Sequence, residues 1–104
     1  MFALENLAEI VARRASAEAG VSYTRSLLDK GVAQCAKKFG EEATEAVIAA
    51  VAQDDKALTA EAADVLYHLL VVLQARNIAL NQVMAELERR TARSGHEEKA
   101  SRPK

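Results

Sequence analysis

One stretch of this chain, Val65 to Leu73, is apolar on almost every side of the helix that it would form. Such a helix has to be covered on all sides, whereas a surface helix carries a single apolar stripe. One copy of the chain offers too few other long helices to enclose it. We therefore expect an all-α fold in which an antiparallel helical hairpin pairs with a second copy, as a homodimer, to complete a four-helix-type bundle.

The composition agrees with closely packed helices. Ala accounts for 22 of the 104 residues and aromatic residues for only four, which favours tight helix packing over a bulky strand-built core. A chain of this length fits one domain. The only cysteine, Cys35, has no partner for an internal disulfide, and we interpret it as a small packing residue in a reducing compartment.

The charge balance and the N-terminus exclude several broad classes. Fourteen basic and fifteen acidic residues give a net charge of -1, so we expect neither nucleic acid nor a membrane as a partner. Residues 1–10 carry Glu5 and Glu9 and lack the basic-then-apolar order of a signal peptide. The longest apolar run, Leu69 to Leu73, is too short to cross a bilayer. We expect a cytoplasmic protein.

Apolar residues at spacings of three and four predict where the helices lie. The predicted elements are Phe2 to about Ala19, a short turn capped by Ser22, Val32 to Ala52, Asp54-Asp55 to about Ala75, and Leu80 to Arg90. Gly40 weakens the second long helix, and we expect it to permit the close approach of a neighbouring helix or a ligand. We predict one domain over residues 1–91 and a disordered, charged tail over residues 92–104.

Two acidic pairs fall on the two helices of the predicted hairpin. Glu42 and Glu45 are three residues apart, as are Glu61 and Asp64, so each pair shares one helix face. Either pair alone would be typical of a solvated surface. The turn is centred near Gln53, however, from which Glu42 and Asp64 are equally distant, and the other two carboxylates are equally distant from it as well. All four should therefore face one another across the hairpin.

Facing carboxylates repel one another unless they take up protons or bind cations. Ligands that are all oxygen suit Mg²⁺, or Mn²⁺, better than zinc. A metal ion held here would bridge phosphate oxygens and lower the pKa of an attacking water. Glu41 could orient or deprotonate that water. The pattern thus favours a magnesium site for phosphate chemistry.

Further candidates for substrate binding lie near the acidic pairs in the sequence. They are Arg25, Lys30, Lys37 and Lys38 for phosphates, Tyr23 and Thr24 for a base or ribose, and His68, one turn beyond Asp64. Each has an ordinary alternative. The basic residues would otherwise be solvated surface charges, Tyr23 a packing residue and His68 a histidine satisfied within the core.

The two acidic pairs form a longer motif, in which Glu-x-x-Glu is followed after fifteen residues by Glu-x-x-Asp. This motif resembles the signature of the all-α NTP pyrophosphatase superfamily. Further similar segments are Ser22-Tyr23-Thr24, Lys38 to Glu45, Glu61 to Leu70 and Val83 to Arg90. With these segments the chain resembles the phosphoribosyl-ATP pyrophosphatase family, over roughly residues 4–90.

That resemblance implies the hydrolysis of 1-(5-phospho-β-D-ribosyl)-ATP to 1-(5-phospho-β-D-ribosyl)-AMP and pyrophosphate, the second step of histidine biosynthesis. It also implies a homodimer as the working unit. The Mg²⁺ ligands that it implies are Glu42, Glu45, Glu61 and Asp64.

Three alternatives remain open at this point. A house-cleaning nucleoside triphosphate pyrophosphatase of the same superfamily would share the metal cluster and differ in its base and ribose contacts, and the segments Ser22-Tyr23-Thr24 and Tyr67-His68 count against it. A di-iron carboxylate bundle expects Glu-x-x-His pairs, but Val65 stands three residues before His68. A non-catalytic helical interaction module would leave the matched acidic pairs without a purpose.

Overall fold

The computed structural model describes residues 1–17 and 22–92, and within these the chain forms only helices. The elements are α1 (Leu4–Ala15), α2 (Tyr23–Asp29), α3 (Val32–Ala52), α4 (Asp55–Ala75) and α5 (Leu80–Thr91). The predicted all-α class is confirmed. The first helix ends at Ala15 and not near Ala19, which lies outside the described residues, as do residues 93–104 of the predicted tail.

A two-residue turn joins α3 and α4 into an antiparallel hairpin. Gln53 ends α3 by adopting extended backbone, with φ −125° and ψ −178°. Asp54 then begins α4, since its carboxylate accepts a hydrogen bond of 2.9 Å from the backbone N–H of Ala57. A side-chain oxygen that caps a helix in this way satisfies one of its unpaired amides. The predicted hairpin and its cap are therefore confirmed.

The short helix α2 is defined by a cap at its start and a glycine after its end. The hydroxyl of Ser22 accepts a hydrogen bond of 3.2 Å from the backbone N–H of Arg25, as predicted for a capping serine. Gly31 has a φ of +95°, a backbone conformation that side chains with a Cβ rarely adopt. The chain can therefore leave α2 and enter α3 at Val32 without a longer loop.

The hydrophobic core lies where α1 and α2 pack on one end of the hairpin. Its buried members come from four helices and are Val11, Leu27, Cys35, Leu70 and Val71. The Cys35 thiol donates to the carbonyl oxygen of Leu27 at 3.2 Å, and burial raises its pKa. Each large aliphatic side chain buried in this way contributes about 1.5–3 kcal/mol. Cys35 is thus a packing residue, as predicted.

The other end of the hairpin, near its turn, leaves large apolar side chains in solvent. Val47, Ile48 and Val51 on α3 are 63%, 50% and 83% exposed. Further along α4, away from the turn, Leu66 is 44% exposed although it belongs to the stretch that should be covered on every side. A single copy of the chain therefore covers α4 only in part.

Helix α4 is long and apolar enough, by length and composition, to cross a membrane. The core helix of a water-soluble protein can be equally long and apolar. Glu61 and Asp64 lie in the interior of α4, beyond its first turn, and carboxylates are unfavourable at the centre of a bilayer. Helix α4 also packs along α3 as half of the hairpin. Its composition is therefore compatible with a helix covered by other helices.

Gly40 does not interrupt α3, which runs through it without a break. A Cβ atom at this position would meet nothing within 4 Å. No neighbouring helix among the described residues approaches Gly40 closely, and the predicted approach of a helix or a ligand stays a prediction. The space beside Gly40 is open to molecules outside the chain.

Candidate active site

Three of the four predicted carboxylates meet between α3 and α4. One oxygen from each of Glu42, Glu45 and Glu61 lies within 4.8 Å of the others. Helix α3 presents its two glutamates one turn apart, and the antiparallel α4 brings Glu61 to the same level. We refer to these three residues as the acidic cluster. The register counted from Gln53 predicted this meeting.

Asp64, the fourth predicted carboxylate, lies outside the acidic cluster. Its side chain is exposed, and it is not one of the three side chains whose oxygens come together. Its backbone carbonyl accepts a hydrogen bond of 2.8 Å from Nδ1 of His68. The structure thus gathers three of the four residues and leaves the fourth one turn away from Glu61 on α4.

Positive charge and hydrogen-bond donors balance the carboxylates of the acidic cluster only in part. Glu42 is only 7% exposed. The Oε2 atom of Glu61 is buried and has no hydrogen-bond partner among the described residues. The negative charge of Glu42, followed by that of Glu61, raises the pKa of Glu45. Since buried carboxylate oxygens without partners are unfavourable, this arrangement suits a divalent cation bound by oxygen atoms.

One lysine already contacts the acidic cluster. Nζ of Lys38 lies 3.2 Å from Oε1 of Glu42, one helical turn away on α3. This hydrogen bond, and then the charge of Glu42, raises the pKa of Lys38. The Lys38 side chain is still 37% exposed. It therefore reaches from solvent to the most buried carboxylate of the cluster.

Two cavities lie beside the acidic cluster. The first, of about 210 Å³, is lined by Tyr23, Leu27, Lys30, Gln34, Lys37, Lys38 and Glu41. The second, of about 400 Å³, is lined by Lys38, Glu41, Thr44 and Glu45. Lys38 and Glu41 border both cavities. Three ammonium groups next to a carboxylate cluster form a surface that can hold phosphate groups and a metal ion together.

The cavities include some predicted residues and leave others out. Arg25 is not among the lining residues, because its guanidinium pairs with Asp29 at 2.9 Å and donates to the carbonyl of Ala17 at 2.6 Å. Gln34 and Thr44 line cavities although neither was predicted as a site residue. Gln34 lies one turn before Lys38 on α3, and that spacing could have revealed it.

One aromatic residue, Tyr23, lines the first cavity. Tyr23 is 55% exposed, and its ring stacks on that of Tyr67 with centroids 6.3 Å apart. Thr24 is fully buried, and its hydroxyl shares a hydrogen bond of 2.5 Å with the Tyr67 hydroxyl. Tyr23 is therefore accessible to a ligand, whereas Thr24 fixes the tyrosine behind it.

His68 is 5% exposed and packs edge-on against Tyr67, with ring centroids 5.0 Å apart. Its Nδ1 donates to the carbonyl of Asp64, whereas its buried Nε2 has no partner among the residues that the structure describes. His68 does not border either of the two cavities beside the cluster. In this structure it is a core histidine that is satisfied at one ring nitrogen.

Comparison with known proteins gives a consistent match over the helical part of the chain. The family model described as phosphoribosyl-ATP pyrophosphohydrolase matches residues 4–91. The phosphoribosyl-ATP pyrophosphatase of Azorhizobium caulinodans is 61% identical over 99 residues, which cover 95% of this chain and 91% of the relative.

Two further relatives are similar over almost their whole length. Phosphoribosyl-ATP pyrophosphatase 1 of Bradyrhizobium diazoefficiens is 59% identical, over 97% of this chain and 95% of the relative. The phosphoribosyl-ATP pyrophosphatase of Agrobacterium fabrum is 57% identical, over 98% of this chain and 95% of the relative. The matches cover all five helices and the acidic cluster, and the chain therefore belongs to the phosphoribosyl-ATP pyrophosphohydrolase family.

Proposed function

We propose that this protein is a hydrolase that converts phosphoribosyl-ATP to phosphoribosyl-AMP and pyrophosphate, a step of histidine biosynthesis. The proposal is supported by relatives of that name at 57–61% identity over nearly the full chain. The single structural observation that carries it is the acidic cluster beside a cavity lined by three lysines. A phosphoanhydride substrate needs both features, because its phosphates are anionic and its leaving group gains negative charge.

We propose that Glu42, Glu45 and Glu61 hold Mg²⁺, and that Mn²⁺ can replace it. The proposal is supported by the oxygen-only ligand set and by the unpartnered Oε2 of Glu61. Asp64 is exposed, so its carboxylate can change rotamer to become a fourth ligand. Bound Mg²⁺ would supply charge neutralisation on the phosphates and on the departing pyrophosphate.

The lysines and Tyr23 would bind the substrate around that centre. Lys30 and Lys37 face the first cavity, where their ammonium groups can pair with phosphate oxygens. The exposed ring of Tyr23 offers a flat apolar surface for the base. Glu41 borders both cavities, and its carboxylate can orient the attacking water and accept its proton. Arg25, held by Asp29, would contribute indirectly by fixing α2.

We propose that the protein works as a homodimer in the cytoplasm. The proposal is supported by the exposed apolar side chains near the hairpin turn, with Val51 at 83% and Val47 at 63% exposed. A contiguous apolar surface of this kind is typical of an interface, and a second hairpin would turn two helices into a four-helix bundle. The same covering would account for an apolar α4 without a membrane. Sedimentation equilibrium should give twice the chain mass.

Pyrophosphate release from phosphoribosyl-ATP, with and without Mg²⁺, tests the proposed reaction. A panel of ordinary and damaged nucleoside triphosphates is assayed in parallel. We expect turnover of phosphoribosyl-ATP that requires Mg²⁺ and is far slower with every member of the panel. Preferential turnover of the panel would instead assign a house-cleaning pyrophosphatase. Absence of any turnover by folded protein would contradict an enzymatic role.

A further inference from the structure

Glu42, the most buried carboxylate of the acidic cluster, already has a positively charged partner within the protein, Lys38. The ammonium of Lys38 lies 3.2 Å from Oε1 of Glu42. Glu42 is also one of the three residues that can hold a metal ion. A lysine and a divalent cation therefore compete for the same carboxylate, because two positive charges at this distance repel each other strongly.

Lys38 differs in this respect from the other lysines of the first cavity. Within residues 1–17 and 22–92, Lys38 forms an ion pair with a carboxylate whereas Lys30 and Lys37 form none. Lys38 also borders the second cavity, together with Glu41 and Glu45. Its ammonium thus has two environments within reach, the cluster on one side and the open cavities on the other.

The lysine side chain allows a change between these two environments. Four methylene groups separate its charge from the backbone, and in Lys38 this stem is partly exposed. The backbone need not move, since rotation about side-chain bonds is enough to carry the ammonium away from Glu42. Helix α3 keeps both residues one turn apart throughout.

We propose that Lys38 is a displaceable counter-ion that couples metal binding to phosphate binding. Without a metal ion, its ammonium neutralises Glu42 and limits the repulsion within the acidic cluster. When a divalent cation binds the cluster, the ammonium leaves Glu42 and pairs with phosphate oxygens of the substrate in the adjoining cavity. This inference rests on the proposed metal site and gives one residue of that site a second role.

Thermodynamic coupling gives this role a signature that a purely structural lysine lacks. Removing the charge of Lys38 removes a competitor for the metal ion, so the affinity for metal should rise. The same change removes a ligand for phosphate, so the affinity for pyrophosphate should fall once metal is bound. A lysine that only held Glu42 in place would weaken both, and a solvated lysine would change neither.

The experiment uses the full chain and three variants, Lys38→Met, Lys38→Arg and Lys37→Met. Titration calorimetry first measures Mn²⁺ binding to each protein without nucleotide. It then measures pyrophosphate binding at saturating Mn²⁺. Lys37→Met is the matched control for the first titration, because Lys37 lines the same cavity and lacks the ion pair with Glu42. Lys38→Arg retains the charge, and a thermal melt of every variant confirms that it is folded.

We expect Lys38→Met to bind Mn²⁺ about tenfold more tightly and pyrophosphate about tenfold more weakly than the unsubstituted protein, within the usual range of coupling between sites. Lys37→Met and Lys38→Arg should bind Mn²⁺ like the unsubstituted protein. Unchanged or weaker Mn²⁺ binding by folded Lys38→Met would overturn the inference. If the unsubstituted protein itself fails to bind Mn²⁺, the proposed metal site fails first, and the inference fails with it.

Discussion

The two ends of the α3–α4 hairpin are both apolar, but the chain covers only one of them. At the end packed by α1 and α2, Cys35 and Val71 are each 1% exposed. At the end near the turn, Val47 and Val51 are 63% and 83% exposed. The same two helices therefore build a finished core at one end and an open apolar surface at the other.

The acidic cluster lies between these two ends, where the covering helices stop. Glu42 is buried in the hairpin, whereas Glu45 on the next turn is exposed. A carboxylate cluster with access to solvent can exchange a metal ion and a substrate, which a cluster sealed within a core cannot do. The difference between the ends shows that the buried core is concentrated at one end of the hairpin, and the proposed binding site uses the part of the hairpin that reaches solvent.

The largest expected effect is the loss of activity on substitution of Glu42, the most buried residue of the acidic cluster. Glu42→Gln keeps the shape of the side chain and removes its charge, so the proposed metal ion loses its most buried ligand. We expect kcat/KM for phosphoribosyl-ATP to fall on the order of 10³-fold, comparable with the loss of a key electrostatic contact in other enzymes. The matched control is Glu88→Gln, an exposed glutamate on α5, which should retain full activity.

The same valine-to-alanine substitution at each end of the hairpin compares how much the two ends contribute to the free energy of unfolding. Val71→Ala removes two methyl groups from the core and should lower the free energy of unfolding by about 2 kcal/mol. Val51→Ala makes the same change on the exposed end and should alter it by less than about 0.5 kcal/mol in dilute solution.

Urea unfolding at several protein concentrations measures both valine variants. If a second copy covers the open end, the effect of Val51→Ala should grow as the concentration rises. Equal effects of the two variants at low concentration would contradict the contrast between the ends.

A smaller effect is expected from Glu45→Gln in metal-free protein. Glu42 and Glu61 raise the pKa of Glu45 above its ordinary 4.5. The folded protein therefore binds this proton more tightly than the unfolded chain, and ionised Glu45 destabilises the fold at neutral pH. Glu45→Gln should raise the Tm slightly at pH 7, and the gain should disappear as the pH falls through the raised pKa. Thermal melts of metal-free protein measure this, with Glu88→Gln as the control. If the proposed repulsion were absent, the difference in Tm between Glu45→Gln and the unsubstituted protein would not change with pH.

The smallest effect concerns an exposed group of charged side chains on α5. Arg89 and then Arg90 lower the pKa of Glu86 to about 2 through hydrogen bonds. This contribution to stability is present above the ordinary pKa of 4.5 and is lost as the pH falls towards 2. Because the side chains are exposed, Glu86→Gln should lower the Tm only marginally at pH 7. Melts of this variant and the parent should coincide near pH 2, and a persistent difference there would argue against the ion pairs.

Most helix boundaries could be predicted because their signals are local. Helix α3 covers Val32–Ala52 as predicted, since Gly31 before it and Gln53 after it both break the helical backbone. The end of α1 was predicted too late. Alanines favour a helix beyond Ala15, but Val11 is its last buried residue, and helical propensity without packing does not sustain a helix in water.

The acidic cluster could be predicted in part for a geometric reason. Antiparallel helices keep residues level at equal distances from the turn, and this brought Glu42, Glu45 and Glu61 together. Register does not determine side-chain rotamers, however. The outward position of Asp64 and the contact of Lys38 with Glu42 depend on such rotamers, and the sequence pattern could not supply them.

Anomalous diffraction from a crystal soaked in Mn²⁺ tests most directly whether Glu42, Glu45 and Glu61 form a metal centre. We predict a strong anomalous peak between the carboxylates of Glu42, Glu45 and Glu61, with the ammonium of Lys38 withdrawn from Glu42. A peak at any other site, or none in this cluster at a saturating concentration of Mn²⁺, would contradict the claim that these three carboxylates form the metal centre.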